Sequence, residues 1–333
     1  MTDHRLPLAQ ARTLVIDTLM RCRTSQSNAA AVADALIGAE LTGQFGHGLR
    51  RVPAYAEQAL VGKVDGFATP TARAARPGAL AVDAAHGFAY PALDLALDWL
   101  PGAARTNGIA IAGLTRSHHC GVAGLPVEKL AEQGLMAILT ANAPASMAPW
   151  GGSRPLFGTD PIAFAAPIAG AAPVVVDISL SRVARGKIMA AAQKNEPIPD
   201  TWALDVDGNP TTDPHAALKG NMQPMGDAKG TALAIMVEML CAGLNNAHFG
   251  YEASPFLSAE GPPPATGQSI IAIDAGVFGP HAVERFADLA GEIEGQEGAR
   301  LPGRRRQQIR AEMTQAGIPV DDTLLAAIDA MGR

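Results

Sequence analysis

Apolar positions along this chain follow two rhythms, a helical spacing of three and four residues and short unbroken runs bounded by turn residues. LAQARTLVIDTLMRC (8–22) carries the first rhythm, and NAAAVADALIGAEL (28–41) follows it, with Ser27 placed to cap this second helix and Gly43 to end it. The polar break GQFGHGLRR then interrupts the pattern. LAVDA, IAIAGLT, LMAILTAN, PIAFAAP, PVVVDIS and SIIAIDAG read as sheet strands, with helices expected near 91–107 and 121–133 between them. KGTALAIMVEMLCAGL, from residue 229, predicts a long apolar helix for the core or a subunit interface. Three more helical stretches close the chain: PHAVERFADLAGEIEG, RRRQQIRAEMTQAG and DDTLLAAIDAMG. Together these predict an α/β architecture with a mixed or mainly parallel central sheet and helices at both ends.

Composition narrows the function classes. With 333 residues the chain can hold two intertwined domains. Aromatics at 5% and a net charge of −6 exclude a general nucleic-acid binder, which needs stacking surfaces or a basic face. No run of about 18 apolar residues is present to span a membrane, and MTDHRLPLAQ has no apolar signal core. Cys22, Cys120 and Cys241 form no CxxC pair and read as free thiols, so a cytoplasmic protein is expected.

Three stretches carry candidate chemistry. TRSHHCGVAGLP sets His118, His119 and Cys120 in a row. Adjacent side chains diverge too far to share one ion, and no HExxH or CxxC accompanies them, so no metal site is expected. A thiol nucleophile at Cys120 would need a base, an orienting group and a cation or helix end, and a small buried thiol is the simpler reading. The stretch fits a strand end, a turn and a helix start, with Gly121 and Gly124 letting amides approach an anion such as a pyrophosphate. No GxGxxG follows a predicted strand, so the usual dinucleotide fingerprint is absent.

In HGLRRVPAY, His47 and Arg51 stand four apart. On a helix they would share one face, where a guanidinium can hold a carboxylate while the imidazole handles a proton; a structural histidine on an exposed helix would look the same. FGTDPIAFAAP and DISLSRVARGK place Thr159, Asp160, Asp177 and Ser179 at strand ends, where open α/β sheets bind ligands. Arg182, Arg185 and Lys187 crowd the next helix start, as either a solvated basic face or a site completed by an anionic ligand.

In order along nearly the whole chain, HGLRRVPAY, TRSHHCGVAG, FGTDPIAFAAP, DISLSRVARGKI, GDAKG and LPGRRR resemble the type 2 malate/L-lactate dehydrogenase family, also called sulfolactate-dehydrogenase-like. Each piece is weakly specific; six in register are strongly so. The resemblance implies a non-Rossmann NAD(P)-binding fold with a mixed sheet, flanking helices and discontinuous domains. Residues 1–75 and 225–333 would form a helical substrate and dimerisation domain, and 76–224 the NAD(P)-binding domain of a homodimer. It further implies His47 as proton donor and Arg51 as carboxylate anchor, with Thr159, Arg185 and Gly186 lining the substrate pocket. NADPH or NADH would be met by His119, Cys120, Gly121, Val122, Ala123, Asp177, Ile178, Ser179, Lys229, Arg304 and Arg305. A preference for NADPH follows if Arg182 and the arginines at 304–306 meet its 2′-phosphate.

SHHCGVAGLPVEKLAEQGLMAILTANAP is most similar to the cyclic imino-acid reductases of that family. That implies reduction of Δ1-pyrroline-2-carboxylate, and of Δ1-piperideine-2-carboxylate, to L-proline and L-pipecolate. Gly46 and Lys187 depart from the pattern, where a Ser precedes the catalytic His and an Asp follows the Arg-Gly pair. Two alternatives therefore remain: a 2-hydroxy-acid dehydrogenase of malate, lactate, sulfolactate or ureidoglycolate type, and a non-catalytic binding protein that keeps the fold.

Overall fold

The computed structural model describes residues 3–332. In chain order its elements are β1 (Asp3–Leu6), α1 (Leu8–Arg21), α2 (Gln26–Leu41), α3 (Val52–Leu60), β2 (Thr71–Arg76), β3 (Ala79–Asp83), α4 (Ala89–Asn107), β4 (Ile109–Ser117) and α5 (Gly124–Ala131). They continue as β5 (Leu135–Ala141), β6 (Ile162–Ile168), β7 (Ala171–Ile178), α6 (Arg185–Lys194), β8 (Ala203–Leu204), α7 (Pro214–Lys219), β9 (Asn221–Met222), α8 (Ala228–Glu238), β10 (Thr266–Asp274), α9 (Ala282–Glu294), α10 (Arg304–Ala316), β11 (Ile318–Asp321) and α11 (Asp322–Asp329).

Seven strands form one sheet in the order β2-β3-β4-β10-β5-β6-β7. The sheet is mixed, as expected, but far from mainly parallel. β3 and β4 run parallel through the crossover helix α4, and the other neighbouring pairs are antiparallel. The reason is β10, which arrives from more than 120 residues downstream of β5 and inserts between β4 and β5, antiparallel to both. Apolar runs carry no sign of strand direction, so pairing of this range is invisible to them.

Alternation along the central strands sorts their side chains to two faces. Ala110, Ala112 and Leu114 of β4, with Leu135, Ala137 and Leu139 of β5, join the main core beneath α4 and α5, which α1, α2 and α3 extend. On the opposite face the buried Cys241 Sγ donates to Thr140 Oγ1 of β5 at 3.2 Å. Cys241 lies in a π-helical segment, Met239–Gly243, which continues α8 where one long α-helix was expected. Ile235, Met236, Met239 and Leu244 of this region remain exposed.

Helix starts obey local chemistry the pattern half revealed. Ser25, not Ser27, caps α2, its Oγ accepting from Asn28 N at 3.3 Å, and Ser27 lies inside the first turn. The first turn of α2 is polar, so the apolar rhythm begins after the helix does. Glu40 near its far end accepts from Leu49 N at 2.7 Å and anchors the next segment.

Two carboxyl groups are buried where β6 begins. Asp160 is wholly buried; its Oδ1 accepts from Ala143 N at 3.2 Å, while Oδ2 has no partner among the described residues. Glu238 of α8 accepts from Asn142 Nδ2 and from Gly250 N, both at 3.0 Å. Burial, with the charge of Glu238 second, pushes the Asp160 carboxyl well above the carboxylate range. Burial pushes Glu238 from its ordinary 4.5 to about 7. Acids held protonated in the folded state take up protons on folding, so their contribution to stability falls as pH rises from about 4.5 through about 7. The buried imidazole of His118, lowered from 6.5 to about 3, has the opposite sign and costs stability as pH falls below 6.5. Melting temperature should therefore decline between pH 6.5 and 8.5, and Asp160→Asn, which removes the carboxyl that is held protonated well above its ordinary range, should flatten that decline. An equally steep decline in the variant would contradict this account.

Candidate active site

Local chain geometry brings separate segments to one cavity of about 250 Å³ at the ends of β4, β5, β6 and β7, and four of them carry residues expected from the sequence. The first segment is 45–51. Two 3-10 turns, Phe45–His47 and Leu49–Arg51, replace the helix that would have set His47 and Arg51 on one face. His47 lines the cavity, whereas Arg51 turns back and its Nε donates to Gly46 O at 2.6 Å. Proline at residue 53 fits the first turn of α3 and starts the true helix at Val52.

The second segment is the turn 118–123, between β4 and α5. His119, Cys120, Gly121, Val122 and Ala123 all line the cavity. Gly121 has φ +71°, and a Cβ there would come within 2.9 Å of Tyr90 Oη, so this bend needs glycine. The ring of His119 lies parallel to that of His47 at 5.1 Å, and its Nδ1 is 2.6 Å from Tyr55 Oη. His118 points away into the core, where its Nε2 meets Gln58 Oε1 at 3.0 Å. Burial pushes the Cys120 thiol up to about 12, so it stays a thiol rather than a nucleophilic thiolate.

The third and fourth segments are the start of β6 and the end of β7, which contribute Thr159, Asp177 and Ser179. Leu180 N donates to Thr159 O at 2.8 Å and ties the two together. Asp177 Oδ2 accepts from Arg306 Nη2 of α10 at 2.6 Å, from Gly124 N at 3.0 Å and from Gln44 Nε2 at 3.4 Å. The amide at the start of α5, expected to meet a ligand's phosphate, is thus met by this chain's own carboxylate. A Cβ on Gly124 would sit 2.2 Å from Arg306 Nη1 and 3.0 Å from Asp177 Oδ2; the glycine makes room for the ion pair.

Several expected contacts lie elsewhere. Arg182 pairs with Asp227, Arg304 with Glu294, and Arg185 Nη2 donates to Leu218 O at 3.1 Å, so these cations are already matched within the chain. Gly186, Lys187, Lys229 and Arg305 are exposed, and Ile178 is 39% exposed; the cavity wall includes none of these five. Sequence reading missed Gln44, Asn142 and Phe256 in the wall and Tyr55 behind it. It also placed the third arginine of the run, Arg306, in the cluster without distinguishing it from its neighbours. Arg306 is three residues past Gly303, and helical spacing alone turns it inward while Arg305 faces out. Phe256 comes from a loop fastened by Lys63, whose Nζ donates to Pro255 O, Ser258 O and Glu260 O at 2.6, 2.9 and 2.6 Å. Its ring lies 5.3 Å from that of His119.

Electrostatically the cavity favours neutral imidazoles. Burial, and next the Arg51 charge, lower His47 from 6.5 to about 4. The same two causes push His119 well below its ordinary value. His47 is therefore a free base at neutral pH, with Nδ1 buried and unpartnered among the described residues.

Asp177 and Arg306 have side chains only 11% and 14% exposed, so removing one leaves the other charged in a dry setting. Asp177→Ala should cost about 3–5 kcal/mol of unfolding free energy, and adding Arg306→Met should recover part of it. Urea unfolding of the two variants and the double variant measures this. A loss for Asp177→Ala below about 1 kcal/mol, the range of an exposed pair, would deny the pair its structural weight.

Comparison with known proteins shows the family and the fold. The family model described as malate/L-lactate dehydrogenase matches residues 6–329. A (2R)-3-sulfolactate dehydrogenase (NADP(+)) of Chromohalobacter salexigens is 48% identical over 311 residues, covering 93% of each chain. A Δ1-pyrroline-2-carboxylate/Δ1-piperideine-2-carboxylate reductase of Pseudomonas putida is 37% identical over 98% of this chain and 96% of its own. The crystal structure of Δ1-piperideine-2-carboxylate reductase from Pseudomonas syringae pvar. tomato superposes with a TM-score of 0.93 at 36% identity, covering 98% of this chain and 99% of that one. The protein is thus an oxidoreductase, and it belongs to the malate/L-lactate dehydrogenase family.

Proposed function

We propose that this enzyme is an NADP-dependent dehydrogenase of small anionic 2-hydroxy acids, with a 3-sulfolactate-like acid as its best substrate. The observation that carries this reading is His47. It stands at the cavity as an uncharged imidazole, lowered to about 4, and Gly46 and Lys187 stand where the imino-acid pattern has its Ser and Asp. A Cβ at Gly46 would meet nothing within 4 Å, and Lys187 is exposed at the start of α6. A neutral base beside a guanidinium suits removal of a hydroxyl proton from a substrate that brings its own negative charge. The 48% identity to the sulfolactate enzyme supports the substrate class.

The residues present fit a nicotinamide cofactor. Arg306 Nη1 is buried without a partner among the described residues, behind the Gly121–Gly124 turn, where it can receive an anionic group. Gly121 to Ala123 and Ser179 would hold the cofactor, which leaves the His119 ring free to face the substrate. A bound nicotinamide would supply the hydride acceptor for the substrate C2 in oxidation and the hydride donor in reduction. His47 accepts the hydroxyl proton in oxidation and gives it back in reduction. Thr159 offers a hydroxyl to the substrate, and Arg51 sets the local positive potential from behind Gly46 rather than clamping the carboxylate. Phe256 and the apolar wall at Ala141 and Ala143 exclude water from the transfer.

A second reading, reduction of Δ1-pyrroline-2-carboxylate or Δ1-piperideine-2-carboxylate, draws support from the close superposition on the Pseudomonas syringae reductase. We further infer a homodimer, with the exposed apolar side chains Ile235, Met236, Met239 and Leu244 as part of the contact. The division into 1–75 with 225–333 and 76–224 is retained as a proposal, with β10 carrying the outer part into the sheet. Three buried free cysteines fit the reducing cytoplasm. No helix among the described residues is long and apolar enough to cross a membrane.

Initial rates decide between the substrates. 3-Sulfolactate or malate with NADP⁺ should exceed Δ1-pyrroline-2-carboxylate with NADPH by roughly tenfold or more in kcat/KM, an interval of about 1.4 kcal/mol. Turnover of the imine alone would sink the hydroxy-acid reading. Oxidation needs His47 unprotonated, so its kcat/KM should hold level near neutrality and fall as pH drops through about 4, whereas reduction should gain over that interval. His47→Ala should abolish turnover while NADPH binding persists.

A further inference from the structure

Behind His119 lies a hydrogen-bonded pair of phenols that the proton chemistry at His47 does not use. Tyr55, on α3, is wholly buried, and Tyr90, on α4, is 5% exposed. Tyr55 Oη lies 2.6 Å from His119 Nδ1 and 3.1 Å from Tyr90 Oη. The Tyr55 ring is packed between Phe88, at 5.5 Å, and the edge of His118, also at 5.5 Å, so the hydroxyl has little freedom to turn elsewhere. Burial keeps both phenols protonated, with Tyr55 pushed up to about 12, and keeps His119 neutral.

Each neutral group in this row carries one proton, so the two contacts permit two orders of donation. In one, Tyr90 donates to Tyr55 and Tyr55 to Nδ1, which leaves the remaining proton on Nε2 of His119. In the other, Nδ1 donates outward, and a bare Nε2 lone pair faces the cavity. The cavity side decides between them. His119 lies flat against His47 at 5.1 Å with 7° between the rings, and His47 is itself a lone-pair base. A second bare nitrogen would repel the carboxylate of an acid substrate, while an N–H would hold it. Tyr90 also lines a separate cavity of about 350 Å³, so solvent can meet its oxygen lone pairs while its one proton goes to Tyr55.

We propose that Tyr55 is a positioning residue of the reaction: its hydroxyl donates to Nδ1 of His119, fixes that ring as the Nε2–H tautomer, and aims a hydrogen-bond donor beside His47 at the substrate carboxylate. The proposal rests on the reading of the cavity as the place of a carboxylate-bearing substrate, which the hydroxy-acid and imine readings share. His47 moves the proton; His119, held by Tyr55, holds the acid in register with it. Among the segments that form the site, Tyr55 is the residue through which α3 acts on the chemistry.

Histidine ¹⁵N spectra of the full-length protein without substrate, with His119 assigned through a His119→Gln variant, test this directly. His119 should show a protonated Nε2 and a bare Nδ1, and Tyr55→Phe should shift the ring toward a mixture of tautomers. Kinetically, Tyr55→Phe should lower kcat/KM for the acid by roughly 10- to 100-fold, mostly through KM, the worth of one hydrogen bond to a charged group. The pH limb set by His47 should stay where it was. Tyr90→Phe keeps the inner bond and should retain the tautomer with a loss of only about a few-fold. A protonated Nδ1 on His119 in the unaltered protein would overturn the proposal whatever the substrate is. So would a Tyr55→Phe protein with the same tautomer and the same kcat/KM. Absence of turnover with every acid, beside an intact Nε2–H signal, would instead count against the functional reading alone.

Discussion

The site is assembled around one buried carboxylate. Asp177, at the end of β7, accepts from the first amide of α5, from Arg306 of α10 and from Gln44 just ahead of His47. Four segments far apart in sequence are thereby fixed to a single point. The helix end gains the negative charge it favours, and the guanidinium gains the partner that makes its burial tolerable. Because Gly124 leaves room for both groups, the turn that carries His119 closes tightly over them. Without this pair, the strand ends would still exist, but little would hold the His47 segment against the 118–123 turn.

Around that anchor the protein keeps the reacting groups uncharged. Arg51 stands close enough to lower both His47 and His119, yet its Nε is spent on the Gly46 carbonyl. The result is a neutral imidazole between the opposed charges of Arg51 and Asp177. On the proposed reading, an anionic substrate would be drawn toward Arg51, and its charge would ease protonation of His47 when reduction is required. Lys63 and Gln58 complete the enclosure by fastening the loop of Phe256. Rigidity comes from polar groups fully used by the backbone, with the apolar rings laid over them.

Sequence patterning made the central strands and most long helices legible, because apolar runs and three-and-four spacing reflect burial directly. It could not show that β10 enters the middle of the sheet, since strand order depends on pairing across more than a hundred residues. Short elements such as β1, β8 and β9 span too few residues to show an alternation. At the site, the residues gathered from 119–123, 159, 177 and 179 were legible as turns at strand ends. Tyr55, Gln44 and Phe256 were not, because their importance lies in what they touch rather than in their type. The arginines illustrate the limit most clearly: Arg182, Arg304 and Arg306 look alike in sequence, but the first two are met by surface carboxylates and the third by Asp177.

A structure determined with NADP⁺ and a 2-oxo acid bound together would test the central claim most directly. The account predicts the nicotinamide in the cavity between the 118–123 turn and the β7 end, its reacting carbon about 3–3.5 Å from the substrate C2, with His47 within hydrogen-bond reach of the carbonyl oxygen. A nicotinamide seated elsewhere, for instance in the separate cavity beside Asp34 and Glu128, or a substrate out of reach of His47, would contradict it.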